Sequence, residues 1–254
     1  MFSLKNKHAI ITGGGSGIGK AVCLLFAKQG AFVHVVDINE TGANETVVHI
    51  KNEGENAETY LCDVSNQQQT VEIFNTIGKI DILVNSAGIS HIGKAHTTSE
   101  EDFDRIFRVN VKGIYNCLFA AIPLMQKNKG GIILNLCSVA ALVGLDDRFA
   151  YSMSKGAVAA MTLSVAKDYL KDNIRCNSVS PARVHTSFVD NFLAKNYAGK
   201  EAEMFEKLSK AQPIGRMAKP EEVASAILFL CSDEAAFITG TDYAVDGGFL
   251  KLNT

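Results

Sequence analysis

Residues 8–19 read HAIITGGGSGIG, and the next apolar run, AFVHVVD (31–37), closes on Asp37. A compact apolar run breaks into glycines, and the glycines open a helix-period segment, GKAVCLLFAKQG, that ends at Gly30. Glycines allow a tight turn and let backbone N–H groups and a helix N-terminus approach a pyrophosphate. Alone, such a cluster is only a strand-to-helix turn. Behind a strand, ahead of a helix and followed one strand later by an acidic residue, it predicts a dinucleotide site lined by Gly13, Ser16, Gly17, Ile18 and Gly19. Asp37 is placed to accept hydrogen bonds from the adenosine ribose, although a solvated turn aspartate is the plainer alternative. A 2′-phosphate there would meet a carboxylate, and neither Ile38 and Asn39 nor Gly14, Gly15 and Ser16 offer it a cation. The expected cofactor is therefore NAD, not NADP, with Asp37 and Ile38 at its adenosine end.

The alternation continues along the chain. AETYLCDV (57–64), IDILVNSAG (80–88), GGIILNLCS (130–138), NIRCNSVSP (173–181) and DYAVDGG (242–248) read as strands. Helical patterns run to about residue 52, near 66–77, over 99–128 and at 219–232. The strands are continuous apolar runs, as strands buried on both faces are. Strand and helix in alternation require a parallel sheet joined by right-handed crossovers. The expected fold is a single α/β domain over 1–254, a Rossmann-type, doubly wound, parallel seven-stranded sheet with helices on both faces. Ligands of such sheets bind at the carboxyl ends of the strands, so the residues just after each strand carry the interest.

Bulk composition narrows the partners. Apolar residues at 47% and charged residues at 20% suit a packed globular core. A formal net charge of −2 gives no electrostatic reason to expect nucleic acid or an anionic membrane. The opening MFSLKNKHAI lacks the apolar run of a signal peptide. The longest apolar stretch, GIILNLCSVAALVGL, is broken by Asn135 and Ser138 and is too short to span a bilayer. Six cysteines are scattered singly with no CxxC pair, which reads as reduced core thiols in a cytoplasmic protein, without disulfides or a metal site.

FAYSMSK (149–155) sets Tyr151 and Lys155 one helical turn apart on one face. By themselves they are a surface amphipathic pair. Beside a dinucleotide they gain a chemical role. Oxidising an alcohol needs a base for the hydroxyl proton as hydride leaves the carbon. A free phenol titrates near ~10, too high for that task at neutral pH. A neighbouring ammonium and a positively charged nicotinamide both stabilise phenolate. Lys155 is also expected to hold the nicotinamide ribose hydroxyls.

Taken together, these motifs resemble the short-chain dehydrogenase/reductase family over essentially the whole chain. The glycine motif stands as Thr12–Gly19, the acidic residue after the third strand as Asp63 in CDV, and the usual Asn-Asn-Ala-Gly as NSAG (85–88). SPARVHTSF (180–188) matches Pro-Gly-x-Val-x-Thr except that Ala182 replaces the glycine, so positive φ is not required there. The resemblance implies that Asp63 and Val64 contact the adenine. It implies that Asn85, Ala87 and Gly88 run along the cofactor, and that Pro181, Val184 and Thr186 line the nicotinamide, Thr186 meeting its carboxamide. Ser138 would orient the reacting oxygen toward Tyr151, and Asn110 in RVNVKG would hold a water that relays the proton. A homotetramer is implied too, packing the Tyr/Lys helix and its predecessor against a partner. GAVAAMTLSVAKDYL (156–170), small and apolar on more than one face, suits a helix covered on two sides.

Four further residues sit in substrate-facing positions: His91, Arg148, Arg183 and His185. A guanidinium fork suits a carboxylate, so a sugar acid or hydroxy acid is the expected substrate. Each residue singly is as readily an ordinary loop side chain. The segment 187–222 is similar to that of dehydrogenases acting on 2-keto-3-deoxy sugar acids of the L-fuconate and L-rhamnonate type. That implies a place in carbohydrate metabolism and a substrate lid at about 187–215. Rival readings are a dehydrogenase of another hydroxy acid or a neutral alcohol, a lyase or epimerase using transient hydride transfer, and an NAD sensor. An intact set of Asn110, Ser138, Tyr151 and Lys155 speaks against the sensor, which needs no proton chemistry.

Overall fold

The computed structural model describes residues 1–252, leaving out the side chains at 188, 192, 195 and 196. Seven strands run in chain order as β1 (His8–Thr12), β2 (Phe32–Asp37), β3 (Ala57–Leu61), β4 (Ile82–Asn85), β5 (Gly131–Leu136), β6 (Ile174–Pro181) and β7 (Asp242–Val245). Every neighbouring pair is parallel, in the order β3-β2-β1-β4-β5-β6-β7. The helices are α1 (Gly17–Lys28), α2 (Glu40–Asn52), α3 (Gln67–Ile77), α4 (Glu100–Ile106), α5 (Gly113–Lys127), α6 (Phe149–Asp168), α7 (Ser187–Asn196), α8 (Glu201–Lys210) and α9 (Pro220–Cys231).

The doubly wound α/β domain expected from the sequence is therefore present, and its cause is visible in the pleat. Successive strand residues face opposite sides. Ala9 and Ile11 join one buried cluster with α1, α2 and α9, while Ile10 joins another with α3, α5 and α6. Each fully buried large side chain of this kind contributes about 2 kcal/mol. The strand order reverses between β1 and β4, opening a crevice at their carboxyl ends, where Thr12 stands beside Asn85.

Three differences from the sequence reading concern where elements stop. β3, β4, β5 and β7 end two or three residues early, at Leu61, Asn85, Leu136 and Val245. α1 stops at Lys28, short of Gly30, which takes φ +90°. The single helix expected over 99–128 is α4, a π-helical turn at Phe107–Lys112, and α5. Among the described residues no helix is long and apolar enough to cross a membrane.

A histidine pair lies in β1 and β2. His34 is 3% exposed, and its Nε2 sits 3.1 Å from His8 Nδ1. Its Nδ1 is buried with no hydrogen-bond partner among the described residues. Burial first, and the His8 charge second, hold the His34 imidazole at about 4, against an ordinary 6.5. The unfolded chain therefore binds a proton at a pH where the folded chain does not. The stability contributed by keeping His34 neutral is therefore present in full above pH 6.5 and falls by about 3 kcal/mol as pH drops to 4. His34→Phe should flatten that decline in urea titrations at pH 7 and pH 4.5. An unchanged pH slope would assign the acid sensitivity elsewhere.

Candidate active site

The crevice is built from two turns locked together. Thr12 Oγ1 accepts hydrogen bonds from Ser86 N–H at 3.1 Å and Ala87 N–H at 3.2 Å. Gly13 has φ +68°, and a Cβ placed there would lie 2.9 Å from Ala87 Cα. A Cβ on Gly19 would collide with the Gly13 carbonyl oxygen. Only glycine permits the turns and the start of α1 to close this tightly. Ser16 caps α1 from extended backbone without a side-chain cap bond, so the helix start opens onto the crevice beside Gly17 and half-buried Ile18.

The adenosine end follows from β2 and β3. Asp37 Oδ2 accepts from Gly15 N–H and Oδ1 from Asn39 N–H, both at 2.8 Å. A carboxylate has about four acceptor sites, so Asp37 is oriented yet keeps capacity for ribose hydroxyls. Ile38 beside it is 67% exposed, an apolar face open to an adenine. Asp63 Oδ1 accepts from Ser65 N–H at 2.9 Å, leaving Oδ2 free of that bond, and Val64 is buried with its carbonyl held by Asn116.

Asn85 closes β4 beside Thr12 at the crevice. Its side chain turns sideways, donating from Nδ2 to Asn135 Oδ1 at 2.9 Å, and Asn135 in turn donates to Thr162 of α6 at 2.9 Å. All three residues are buried. The amide thus ties β4 through β5 to the helix carrying Tyr151, while the backbone of Ser86, Ala87 and Gly88 faces the crevice.

Lys155 is 5% exposed, and its Nζ donates to Leu136 O at 2.6 Å. The ammonium lies 5.8 Å from the Tyr151 ring centroid and 3.9 Å from a Cβ placed on Gly88. An ammonium has three donors, so two remain after the Leu136 bond. Tyr151 is half-buried, and among the described residues its hydroxyl has no partner. Ser138 accepts from Ala140 N–H at 3.2 Å, which leaves its own hydroxyl proton to donate. Asn110 sits buried in the π-helical turn, a distortion common at functional sites. Its Oδ1 accepts from Ile89 N–H at 2.9 Å, and its Nδ2 donates to Ile89 O at 2.9 Å and Ser154 Oγ at 3.0 Å. Ser154 then donates to Tyr151 O at 2.7 Å.

On the far side, Pro181 ends β6 and Val184 pairs with Ala218. Ala182 has no positive φ, as its replacement of glycine led one to expect. Thr186 caps α7 with no side-chain cap bond, and its methyl lies 3.4 Å from a Cβ placed on Gly17. The hydroxyl is therefore available next to the start of α1.

The four substrate candidates divide. Arg148 is anchored by its neighbours, with Gly93 N–H on Asp147 O at 2.9 Å and Phe149 N–H on Gly93 O at 3.1 Å. Burial and then the Arg148 charge hold the Arg183 guanidinium below its ordinary pKa, so the two cations share one region. Among the described residues neither forms an ion pair with a carboxylate. The two histidines each lie near a carboxylate, and His91 Nε2 is buried with no hydrogen-bond partner among the described residues. His91 Nδ1 lies 3.9 Å from Asp102 of α4, and His185 Nε2 lies 2.8 Å from Asp190 of α7 with its ring edge-on to Phe205 of α8.

Three supporting groups escaped the sequence reading. Thr12 stands at the head of the glycine motif and Ser154 inside YSMSK, so both were in view as letters. The Leu136 carbonyl has no side-chain signal at all.

Residues 13–250 match the enoyl-(acyl carrier protein) reductase family model. An uncharacterized oxidoreductase of Thermotoga maritima is 41% identical over 249 residues, 97% of this chain and 98% of that protein. A cyclopentanol dehydrogenase of Comamonas is 36% identical over 253 residues, 98% of this chain and 99% of that protein. A solved 7α-hydroxysteroid dehydrogenase, complexed with NADH and 7-oxo glycochenodeoxycholic acid, superposes with a TM-score of 0.89 at 34% identity, covering 97% of this chain and 95% of that one.

Tyr151→Phe removes only the hydroxyl. Turnover should fall by about 10²–10⁴-fold with dinucleotide affinity unchanged in a fluorescence titration. Retention of a tenth of the activity would show that another group handles the proton.

Proposed function

This chain belongs to the short-chain dehydrogenase/reductase family of oxidoreductases, and from that premise we propose that it moves hydride between NAD and a secondary alcohol or ketone of a carboxylate-bearing sugar acid, of the 2-keto-3-deoxy type. The observation that carries the oxidoreductase reading is the buried Lys155 ammonium, held by the Leu136 carbonyl beneath Tyr151. Bound NAD supplies the hydride acceptor or donor. The chain's own groups handle the proton and the reacting oxygen.

In the oxidising direction the Tyr151 oxygen takes the alcohol proton, and in the reducing direction it returns one to the carbonyl oxygen. The buried Lys155 ammonium stands 5.8 Å from the Tyr151 ring centroid, with two N–H donors left for the nicotinamide ribose. Ser138 donates to the reacting oxygen and holds it toward Tyr151. Every polar atom of the Asn110 side chain bonds protein, so its share in a proton relay falls to its main chain.

NAD in preference to NADP is supported by an oriented carboxylate at Asp37 and the lack of a cation at 14–16 and 38–39. An acidic substrate is supported by Arg148 and Arg183, two guanidiniums near one another without carboxylate partners among the described residues, which an anion would neutralise. A neutral cyclic alcohol, as in the name of the Comamonas relative, is the rival, and it leaves that paired charge unexplained. Exposed Tyr115 and Phe119 on α5 border a groove of about 750 Å³ between α3, α5 and α6, and Leu163 on α6 is exposed as well, which supports assembly as a homotetramer through these helices. Six buried, unpaired cysteines suit a reducing compartment such as the cytoplasm.

NADH absorbance followed with sugar acids, 3-deoxy-2-keto acids, hydroxy acids, polyols and neutral steroids tests the substrate class. Arg148→Met and Arg183→Met should each raise KM for the acid by about 10- to 100-fold and leave KM for NAD unchanged. Equal KM values for acid in wild type and both variants would remove the acid from the proposal.

A further inference from the structure

We propose that Thr46, which lies inside α2 and outside every cofactor motif, is a positioning residue that sets the seat of the adenosine ribose. The inference rests on the reading of Asp37 as the ribose acceptor. Thr46 is 0% exposed, and its Oγ1 lies 3.0 Å from the Gly42 carbonyl and 3.1 Å from the Gly14 carbonyl. A helical threonine commonly bonds the carbonyl four residues back, and Gly42 is that carbonyl. The Gly14 contact is different in kind, since it crosses 32 residues to the glycine turn.

Backbone meets backbone along this seam. A Cβ on Gly42 would lie 2.9 Å from Gly15 O, and a Cβ on Gly15 would lie 2.9 Å from Ala43 N. The Thr46 hydroxyl supplies the polar bond from α2 to the turn across that seam. Gly15 then directs its N–H to Asp37 Oδ2 at 2.8 Å. The position of Gly14 therefore decides where Gly15 points, and Gly15 decides which Asp37 lone pairs remain for the ribose. Without the hydroxyl, the buried Gly14 carbonyl loses a donor and the turn loses its fixed distance from α2.

Thr46→Val keeps the shape and removes the hydroxyl, and Thr46→Ser keeps the hydroxyl. NADH binding is read by fluorescence, and ADP-ribose, which lacks the nicotinamide, by displacement. Thr46→Val should weaken both ligands by about tenfold, with Thr46→Ser within about twofold of wild type and kcat at saturating NAD unchanged. Wild-type affinity in Thr46→Val overturns the proposal. So does weakening of NADH without ADP-ribose, which would locate the effect at the nicotinamide, and so does equal weakening in Thr46→Ser, which would make it packing. Should Thr46→Val fail to fold by circular dichroism, Gly42→Ala, which forces the seam apart, must weaken ADP-ribose likewise. Equal use of NADP and NAD by wild type would end the Asp37 preference for NAD while leaving the Thr46 effect on ADP-ribose to be judged separately.

Discussion

The molecule turns on a contact between two loops with no room for a side chain between them. At the switch point of the sheet, Thr12 holds the N–H groups of Ser86 and Ala87, and Gly13 lies against Ala87 so closely that a Cβ would intrude. Strand reversal alone leaves a crevice. This contact gives the crevice a rigid floor, because both turns must move together or not at all. On the proposed reading, a dinucleotide laid across it would meet the α1 start on one side and the Gly88 backbone on the other, with Lys155 behind.

The placement of the Tyr151 and Lys155 helix is then inherited from buried amides. Asn85, Asn135 and Thr162 form a chain from β4 through β5 to α6, and Asn110 and Ser154 form a second from the loop after β4 to the Tyr151 carbonyl. Buried polar groups that are bonded rigidify, and buried groups left unbonded cost stability. These two chains hang the Tyr/Lys helix from the same strands that carry the cofactor turns. On the proposed reading, one framework positions the phenol, the ammonium and the dinucleotide together, as acid/base chemistry at a hydride-transfer centre requires.

The proposed substrate end is built differently. The segment after β6 pairs Val184 with Ala218, and between them lie α7 and α8, the segment proposed as a substrate cover. His185 joins that cover through Asp190 and Phe205. Arg148, at the start of α6, and Arg183, just beyond β6, bring two cations to one region from opposite directions in sequence. Such a site can change its ligand without disturbing the cofactor floor, since the loops that form it contribute little to the central core.

What the sequence determined by itself was everything governed by short-range pattern. Seven apolar runs with helices between them gave the sheet, because strands buried on both faces cannot alternate in polarity. Glycines where turns touch, and Tyr151 and Lys155 at helical spacing, followed from local geometry. Only the tertiary structure decided which partners distant groups found. Asn85 turned to Asn135, both histidines turned to carboxylates on α4 and α7, the expected long helix took a π-helical turn at Asn110, and Thr46 reached the glycine turn. A hydrogen bond depends on ångström distances between residues tens of positions apart, and those distances exist only once the two faces of the sheet have closed.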